Sequence, residues 1–290
     1  LARGRQAATP AEGGRGGVSA LMLKCEIARR LLSNCVLCAR RCGVDRHSGE
    51  LGTCRLGPEA FIDEPFVHVA EEAMINPSLV ISPVGCGLRC RACQQWRLLD
   101  PRTVRGIPLG RALWCRLDTT GARSLSFVGG NPDESLYAIL RFLSTAPHDW
   151  RLPVVWNSHA YSTPEGLLLL RGVVDAFVPD FKYGTAECAR RISGISHYQT
   201  TARLAVRAML HQGVPVIVRV LVLPAHNKCC HLPVLEALAE LGQGRDNLFV
   251  SVRDQYAPDF LIRQTDGDLA RRPCREEVEA VVERARVLGL

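Results

Sequence analysis

Three cysteines stand in the stretch SPVGCGLRCRACQQW at the spacing Cys86-x3-Cys90-x2-Cys93, with no fourth nearby. Four thiolates close a tetrahedral metal site, and three leave it open. Three thiolates can also hold three irons of a [4Fe–4S] cube and leave the fourth iron free to chelate a small molecule through an amine and a carboxylate. Gly85 and Gly87 give the loop the backbone freedom to wrap such a cluster. The spacing alone leaves two alternatives standing: an open zinc site, or thiols that are simply buried.

A second set, Cys35-x2-Cys38-x3-Cys42-x11-Cys54, lies in NCVLCARRCGVDRHSGELGTC. Four thiols make a closed site, suited to a second [4Fe–4S] cluster for electron relay or to structural zinc, and the spacing is not that of the ferredoxin run. The glycines and polar residues here predict irregular backbone held by a metal rather than by a core. Of thirteen cysteines, seven fall in two tight clusters, which points to metal binding and not to disulfides. Cys25, Cys115, Cys188, Cys229, Cys230 and Cys274 have no matching partners and read as core or surface thiols.

A chain of 290 residues can form one α/β barrel or two ordinary domains. With 22% charged and 47% hydrophobic residues it has the composition of a globular protein, not a disordered one. The net charge of +7 is carried by arginine, since the only lysines are Lys24, Lys182 and Lys228. The arginines are dispersed and aromatics make up only 6%, so no base-stacking platform is evident and nucleic acid is not an expected partner. A basic surface does suit docking of an acidic electron donor. Residues 1–24 read as a flexible tail without the apolar core of a signal peptide, and Met22 is the first methionine. No apolar run approaches the ~18 residues of a membrane helix, and a cytoplasmic protein is expected.

The cysteines need elements to position them, and from Leu79 the pattern turns regular. Short β-branched runs at 78–84, 124–129, 153–158, 175–182, 214–224 and 248–253 predict six strands. Helix signals lie between them. Asn131-Pro132-Asp133-Glu134 supplies a cap, a first-turn proline and two acids before SLYAILRFL, and Ser162-Thr163-Pro164-Glu165 does the same before GLLLLRG. TTARLAVRAMLHQG stops on Gly213, and a last helix covers 276–288. Alternation of strand and helix predicts a parallel sheet with right-handed crossovers. The residues after Leu79 fall short of the ~250 of an eight-fold barrel, so the expected fold is α/β, a partial (β/α)6 TIM-like barrel at 76–290. A cysteine-rich metal-binding segment at 25–75 precedes it.

Chemistry in such barrels sits at the C-terminal strand ends. Here these ends carry the three-cysteine loop, Gly129-Gly130-Asn131, Asn157-Ser158-His159, Asp180-Phe181-Lys182, then Arg219 with His226, and finally Arg253 to Tyr256. Every strand delivers polar groups or flexible backbone to one rim. An arginine inside a barrel strand must find an anionic partner or face the open mouth, because burying it unpaired is costly.

The spacing Cys86-x3-Cys90-x2-Cys93 resembles the signature of the radical S-adenosylmethionine (SAM) superfamily. The stretches around it, NCVLCARRCGVDRHSGELGTC, VVWNSHAY, VDAFVPDFKYG, VRVLVLPAHN and DQYAP, resemble the pyruvate formate-lyase activating enzyme-like proteins, from about residue 34 to the C-terminus. The resemblance implies an iron–sulfur oxidoreductase that reductively cleaves SAM to a 5′-deoxyadenosyl radical and abstracts hydrogen from a protein or peptide, as glycyl-radical-enzyme activating enzymes do. A radical SAM enzyme acting on an unrelated small molecule or peptide, and a non-catalytic metal-binding protein, are the alternatives. It further implies flavodoxin or ferredoxin as electron donor. Cys86, Cys90 and Cys93 would hold the catalytic [4Fe–4S] cluster. The backbone of Gly129 and Gly130 would receive the methionyl amino group, with Asn131 beside it. Asp180, Lys182 and Arg219 would lie near the cofactor, and Asn157 and Ser158 near its ribose. Three positions depart from the pattern: Ala92 and Ala39 replace an aromatic residue and a proline, and Asn131 replaces an acid, which implies weaker cofactor binding. Arg191-Ile192-Ser193-Gly194 resembles a glycyl-radical motif but is expected to be a loop between barrel elements.

Overall fold

All six expected strands form; five are shorter than their apolar runs, and the last spans the whole of 248–253. A computed structural model describes residues 20–264 and 267–290. Nine strands form in chain order: β1 (Phe61–Ile62), β2 (Phe66–His68), β3 (Ser78–Ile81), β4 (Ile107–Pro108), β5 (Ser124–Phe127), β6 (Val154–Trp156), β7 (Ala176–Phe177), β8 (Val216–Leu221) and β9 (Leu248–Arg253). The seven α-helices are α1 (Ala20–Leu31), α2 (Leu136–Leu143), α3 (Pro164–Leu170), α4 (Ala186–Ser193), α5 (Tyr198–Leu210), α6 (Leu232–Gly242) and α7 (Arg275–Val287).

The main sheet runs β2-β3-β5-β6-β7-β8-β9, and only the β2–β3 pair is antiparallel. The six parallel strands and the helices between them make the partial (β/α)6 barrel. Register keeps the ends level: Ile81 pairs with Phe127, Phe127 with Trp156, and Trp156 with Phe177. The loops after these strands therefore leave the sheet on one rim.

Strands β3, β5, β6 and β7 are buried along their whole lengths, as a sheet covered on both faces requires. The outer face meets the helices in the main core, built on Phe127, Phe142, Trp156, Phe177 and Tyr198. The inner face carries a small separate cluster of Val155, Ala176, Val178 and Ile217, closed by Ile75 from the β2–β3 connection. The short strand β2 and this connection were not expected, and they lay the 69–76 stretch toward β8 and β9.

Helix starts follow the sequence signals in part. Thr163 caps α3, its hydroxyl accepting from Gly166 N–H at 3.2 Å, with Pro164 in the first turn. The acids Asp133 and Glu134 do something else. They lie in a 3-10 turn before α2 and are buried, their carboxylates turned inward instead of toward the helix end. Asp133 accepts from the Trp156 indole N–H at 2.7 Å and from the Ser162 hydroxyl at 2.5 Å. Trp156→Phe removes one donor from a buried carboxylate, which should cost about 1–3 kcal/mol of stability. Urea unfolding of the two proteins measures it, and an unchanged midpoint would show that the bond adds nothing.

Two further expectations meet the structure at their edges. Of the tail, residues 1–19 lie outside the described residues, while 20–24 open α1. The Arg191–Gly194 stretch is not a loop: it is the last turn of α4, and Gly194 is its left-handed terminator at φ 64°. Among the described residues, no helix is long and apolar enough to cross a membrane.

Candidate functional site

The three-cysteine loop leaves β3 and folds under glycine constraints. Gly85 has φ 101°, and a Cβ there would meet the Leu56 side chain at 2.7 Å. The Gly129-Gly130 pair at the end of β5 packs directly on this loop. A Cβ on Gly129 would lie 2.4 Å from Ser82 Cβ, and one on Gly130 2.4 Å from the Gly85 carbonyl oxygen. Glycine at both positions thus has a packing reason in addition to the cofactor contact that the resemblance implies.

Cys86 is buried, and Cys90 and Cys93 are partly exposed. The hydroxyls of Tyr183 and Ser193 stand 2.6 Å apart and 3.2 and 3.0 Å from the Cys90 sulfur, so the pair supplies it with a hydrogen bond. Outer hydrogen bonds of this kind orient and tune a thiolate ligand. Burial, followed by the neighbouring Cys90, pushes the Cys93 thiol up to about 12. Burial and then the Glu134 carboxylate push Cys86 well above its ordinary range. Binding a metal must therefore displace the protons of Cys86 and Cys93.

Glu134, absent from the expected site, stands at its centre. One carboxylate oxygen accepts from Gly87 N–H at 2.7 Å and lies 3.3 Å from His159 Nε2; the other accepts from the Asn131 amide at 2.5 Å. Tyr161 N–H donates to His159 Nδ1 at 3.2 Å, so the imidazole proton sits on Nε2 and faces Glu134. Burial works to raise the Glu134 pKa, but His159, Asn131 and the Gly87 amide outweigh it and hold the carboxyl below its usual range. Asn131 spends both ends of its amide here, since its oxygen accepts from His159 N–H at 3.0 Å.

The second cysteine set abuts the first. Cys35, Cys38, Cys42 and Cys54 line one cleft with Arg46, Gly87 and Glu134. A Cβ on Gly87 would lie 3.2 Å from the Cys38 sulfur. Arg40 donates to the Gly87 carbonyl at 2.8 Å. Arg46, only 2% exposed, donates to the Glu134 carbonyl at 2.8 Å and to Gly57 O, with its guanidinium 3.8 Å from the Cys35 sulfur. A buried cation beside four thiols balances the charge of a metal–thiolate centre. Burial pushes Cys54 up to about 11 and Cys38 well above its ordinary range.

Among the described residues, the groups of three or more donors that converge to within 4.8 Å are Cys86/Glu134/His159 and Cys188/His226/Cys229. Neither cysteine set is gathered so tightly.

The remaining rim residues form a charge network. Lys182 pairs with Asp180 at 2.7 Å. Arg219 pairs with Glu72 at 2.6 Å and with Glu71, both from the β2–β3 connection. It therefore finds its anionic partners inside the protein. With its amide oriented to satisfy both neighbours, Asn157 accepts from Arg219 at 2.6 Å and donates to the Val178 carbonyl at 3.1 Å. Ser158 is buried, and its hydroxyl accepts from Ala160 N–H at 3.3 Å.

No family model matches the chain. Solved structures of similar fold include SuiB of Streptococcus suis bound to S-adenosylmethionine (14% identity, TM-score 0.46, covering 70% of this chain and 45% of that one). Native anSMEcpe with bound AdoMet is another (14% identity, TM-score 0.49, covering 72% and 60%). The chain thus spans about half the length of SuiB. The uncharacterized protein MJ0674 of Methanocaldococcus jannaschii is 34% identical over 280 residues, which cover 93% of this chain and 79% of that protein. This chain belongs to the same family as MJ0674.

Proposed function

We propose that the protein is a radical S-adenosylmethionine enzyme in which Cys86, Cys90 and Cys93 hold a [4Fe–4S] cluster. The observation that carries this is the loop itself: three thiols at the C-terminal end of the first parallel strand, backed by the Gly129-Gly130 turn. When bound, such a cluster supplies reductive cleavage of SAM at its open iron. The chain's own residues do the rest. Tyr183 and Ser193 tune the Cys90 thiolate, and Glu134 fixes the Gly87 backbone. The Asp180–Lys182 pair offers the cofactor one charge of each sign, and Arg219, already neutralised by Glu71 and Glu72, orients Asn157.

The N-terminal thiols share a cleft with Gly87, next to the first set, and Cys38 lies nearest to it. This favours a second [4Fe–4S] cluster that passes electrons from a flavodoxin or ferredoxin to the first, and the net charge of +7 suits an acidic donor. The substrate class, a protein or peptide from which hydrogen is taken as in glycyl-radical-enzyme activation, rests on the sequence resemblance.

The test is electron paramagnetic resonance on the anaerobically reconstituted, reduced protein with and without SAM. A [4Fe–4S]⁺ signal that shifts on adding SAM is expected. Uptake of zinc alone, or a cluster signal indifferent to SAM, would overturn the reading and leave a non-catalytic metal protein.

A further inference from the structure

Away from both cysteine sets, Cys188, His226 and Cys229 bring one donor atom each to within 4.8 Å of one another. Cys188 lies in the first turn of α4, where the helix end favours a thiolate, and its sulfur is 3.2 Å from that of Cys229. Cys229 belongs to the single π-helical turn Asn227–His231 that follows the β8 rim loop, and His226 is the residue just before it. The sequence gives no hint of this grouping, because Cys188 and Cys229 are 41 residues apart and no spacing rule links them.

The imidazole is prepared as a ligand. His226 Nδ1 lies 2.6 Å from the Pro224 carbonyl oxygen, which places the proton on Nδ1 and leaves Nε2 with a free lone pair. A ligating histidine is oriented by just such a bond from its other nitrogen to a backbone carbonyl. In this structure the Nε2 lone pair receives the Arg191 guanidinium. Arg191 is exposed and can swing into solvent, so an arriving cation can displace it. Two thiolates and one neutral imidazole cancel the charge of a divalent ion, which lowers the cost of holding it in a buried place. Soft sulfur with imidazole selects zinc over magnesium or calcium. Cys230, buried next to Cys229, or a water would complete the fourth position.

We propose that Cys188, Cys229 and His226 form a separate zinc site that fastens α4 to the turn after β8. Its position gives it a consequence. The far end of α4 holds the three-cysteine loop, through Ile192 O accepting from Arg91 N–H at 2.9 Å and through Ser193 at the Cys90 sulfur. Metal at one end of this two-turn helix would fix the hydrogen bonds at the other.

The experiment uses the full chain, anaerobically reconstituted with iron and sulfide, then equilibrated with zinc and passed over a weak chelating resin. Iron and zinc are counted by mass spectrometry. Relative to the unchanged protein, Cys188→Ala/Cys229→Ala should lose about one zinc per chain and no iron, while Cys274→Ala, an exposed cysteine outside the grouping, should lose neither. Should the double variant fail to fold, the unchanged protein and His226→Gln are compared with cobalt(II) as the probe. Thiolate-to-cobalt absorption that weakens in His226→Gln supports the site. Equal zinc in the double variant and the unchanged protein would overturn it. So would a Cys188–Cys229 disulfide, seen as a loss of two mass units, in a protein that refuses zinc. These counts do not depend on whether SAM binds.

Discussion

Cys86→Ala is expected to remove about four irons per chain and to abolish formation of 5′-deoxyadenosine from SAM. Three thiolates are the minimum that holds a cube with one open iron, so losing any one releases the cluster rather than weakening it. The effect should exceed what folding alone can explain. Cys86 is small, and replacing it by alanine removes one buried atom, at a cost of about 1 kcal/mol. Metal-free Cys86→Ala should therefore melt within a few degrees of the metal-free parent. The check is iron and sulfide content together with chromatography of the nucleoside product. Cleavage that survives Cys86→Ala would sink the assignment of the loop. The neighbouring set gives the contrast. If the N-terminal thiols hold the proposed second cluster, Cys42→Ala, at an exposed thiol, should lose it while leaving SAM cleavage intact when a strong chemical reductant replaces the protein donor. If electrons pass through that cluster, cleavage driven by flavodoxin should fall instead.

The sequence made the sheet legible because buried parallel strands are continuous apolar, β-branched runs, whereas the apolar run Leu167–Leu170 has no β-branched residue and follows a helix cap. It made the rim legible because strand ends on one side follow from topology alone. Five strands came out shorter than their runs because apolar residues past the regular ladder still pack in the core: Val178 and Phe181 follow β7 and are buried, each keeping one backbone bond to a neighbouring strand. Glu134 was invisible for a different reason. An acid in the position expected for a helix first turn is explained by the dipole, so no anomaly marked it, and only the three-dimensional approach of Gly87 and His159 reveals its task. Tyr183 and Ser193 were hidden in the same way. Ser193 lies in the stretch expected to be a loop between barrel elements, although it ends α4 against the Cys90 sulfur. Arg219 was anomalous in sequence and was interpreted through the need for a counter-charge. That need was real, and Glu71 and Glu72, in a connection with no regular periodicity, meet it.

Glu134→Ala should be the most destabilising change in the site, at about 3–5 kcal/mol. The carboxylate is 1% exposed and serves three donors, on Gly87, Asn131 and His159. Deleting it strands all three in a place water does not reach, and breaking a buried network by removing its acceptor costs that much. Glu134→Gln keeps one oxygen but turns an N–H₂ toward existing donors, so about 1–3 kcal/mol is expected. An exposed acid such as Glu279, paired only with Arg275, should give nearly nothing on replacement by alanine. Urea midpoints of the three variants rank these costs. A second readout separates support of the fold from support of the site. Gly87 lies between Cys86 and the Cys38 sulfur, and its amide is held by the Glu134 carboxylate. Loosening it should broaden the electron paramagnetic resonance signals of both clusters even at temperatures where Glu134→Gln is fully folded. Glu134→Ala within 1 kcal/mol of the parent, or cluster signals unchanged in Glu134→Gln, would show that the carboxylate merely fills space between the two cysteine sets.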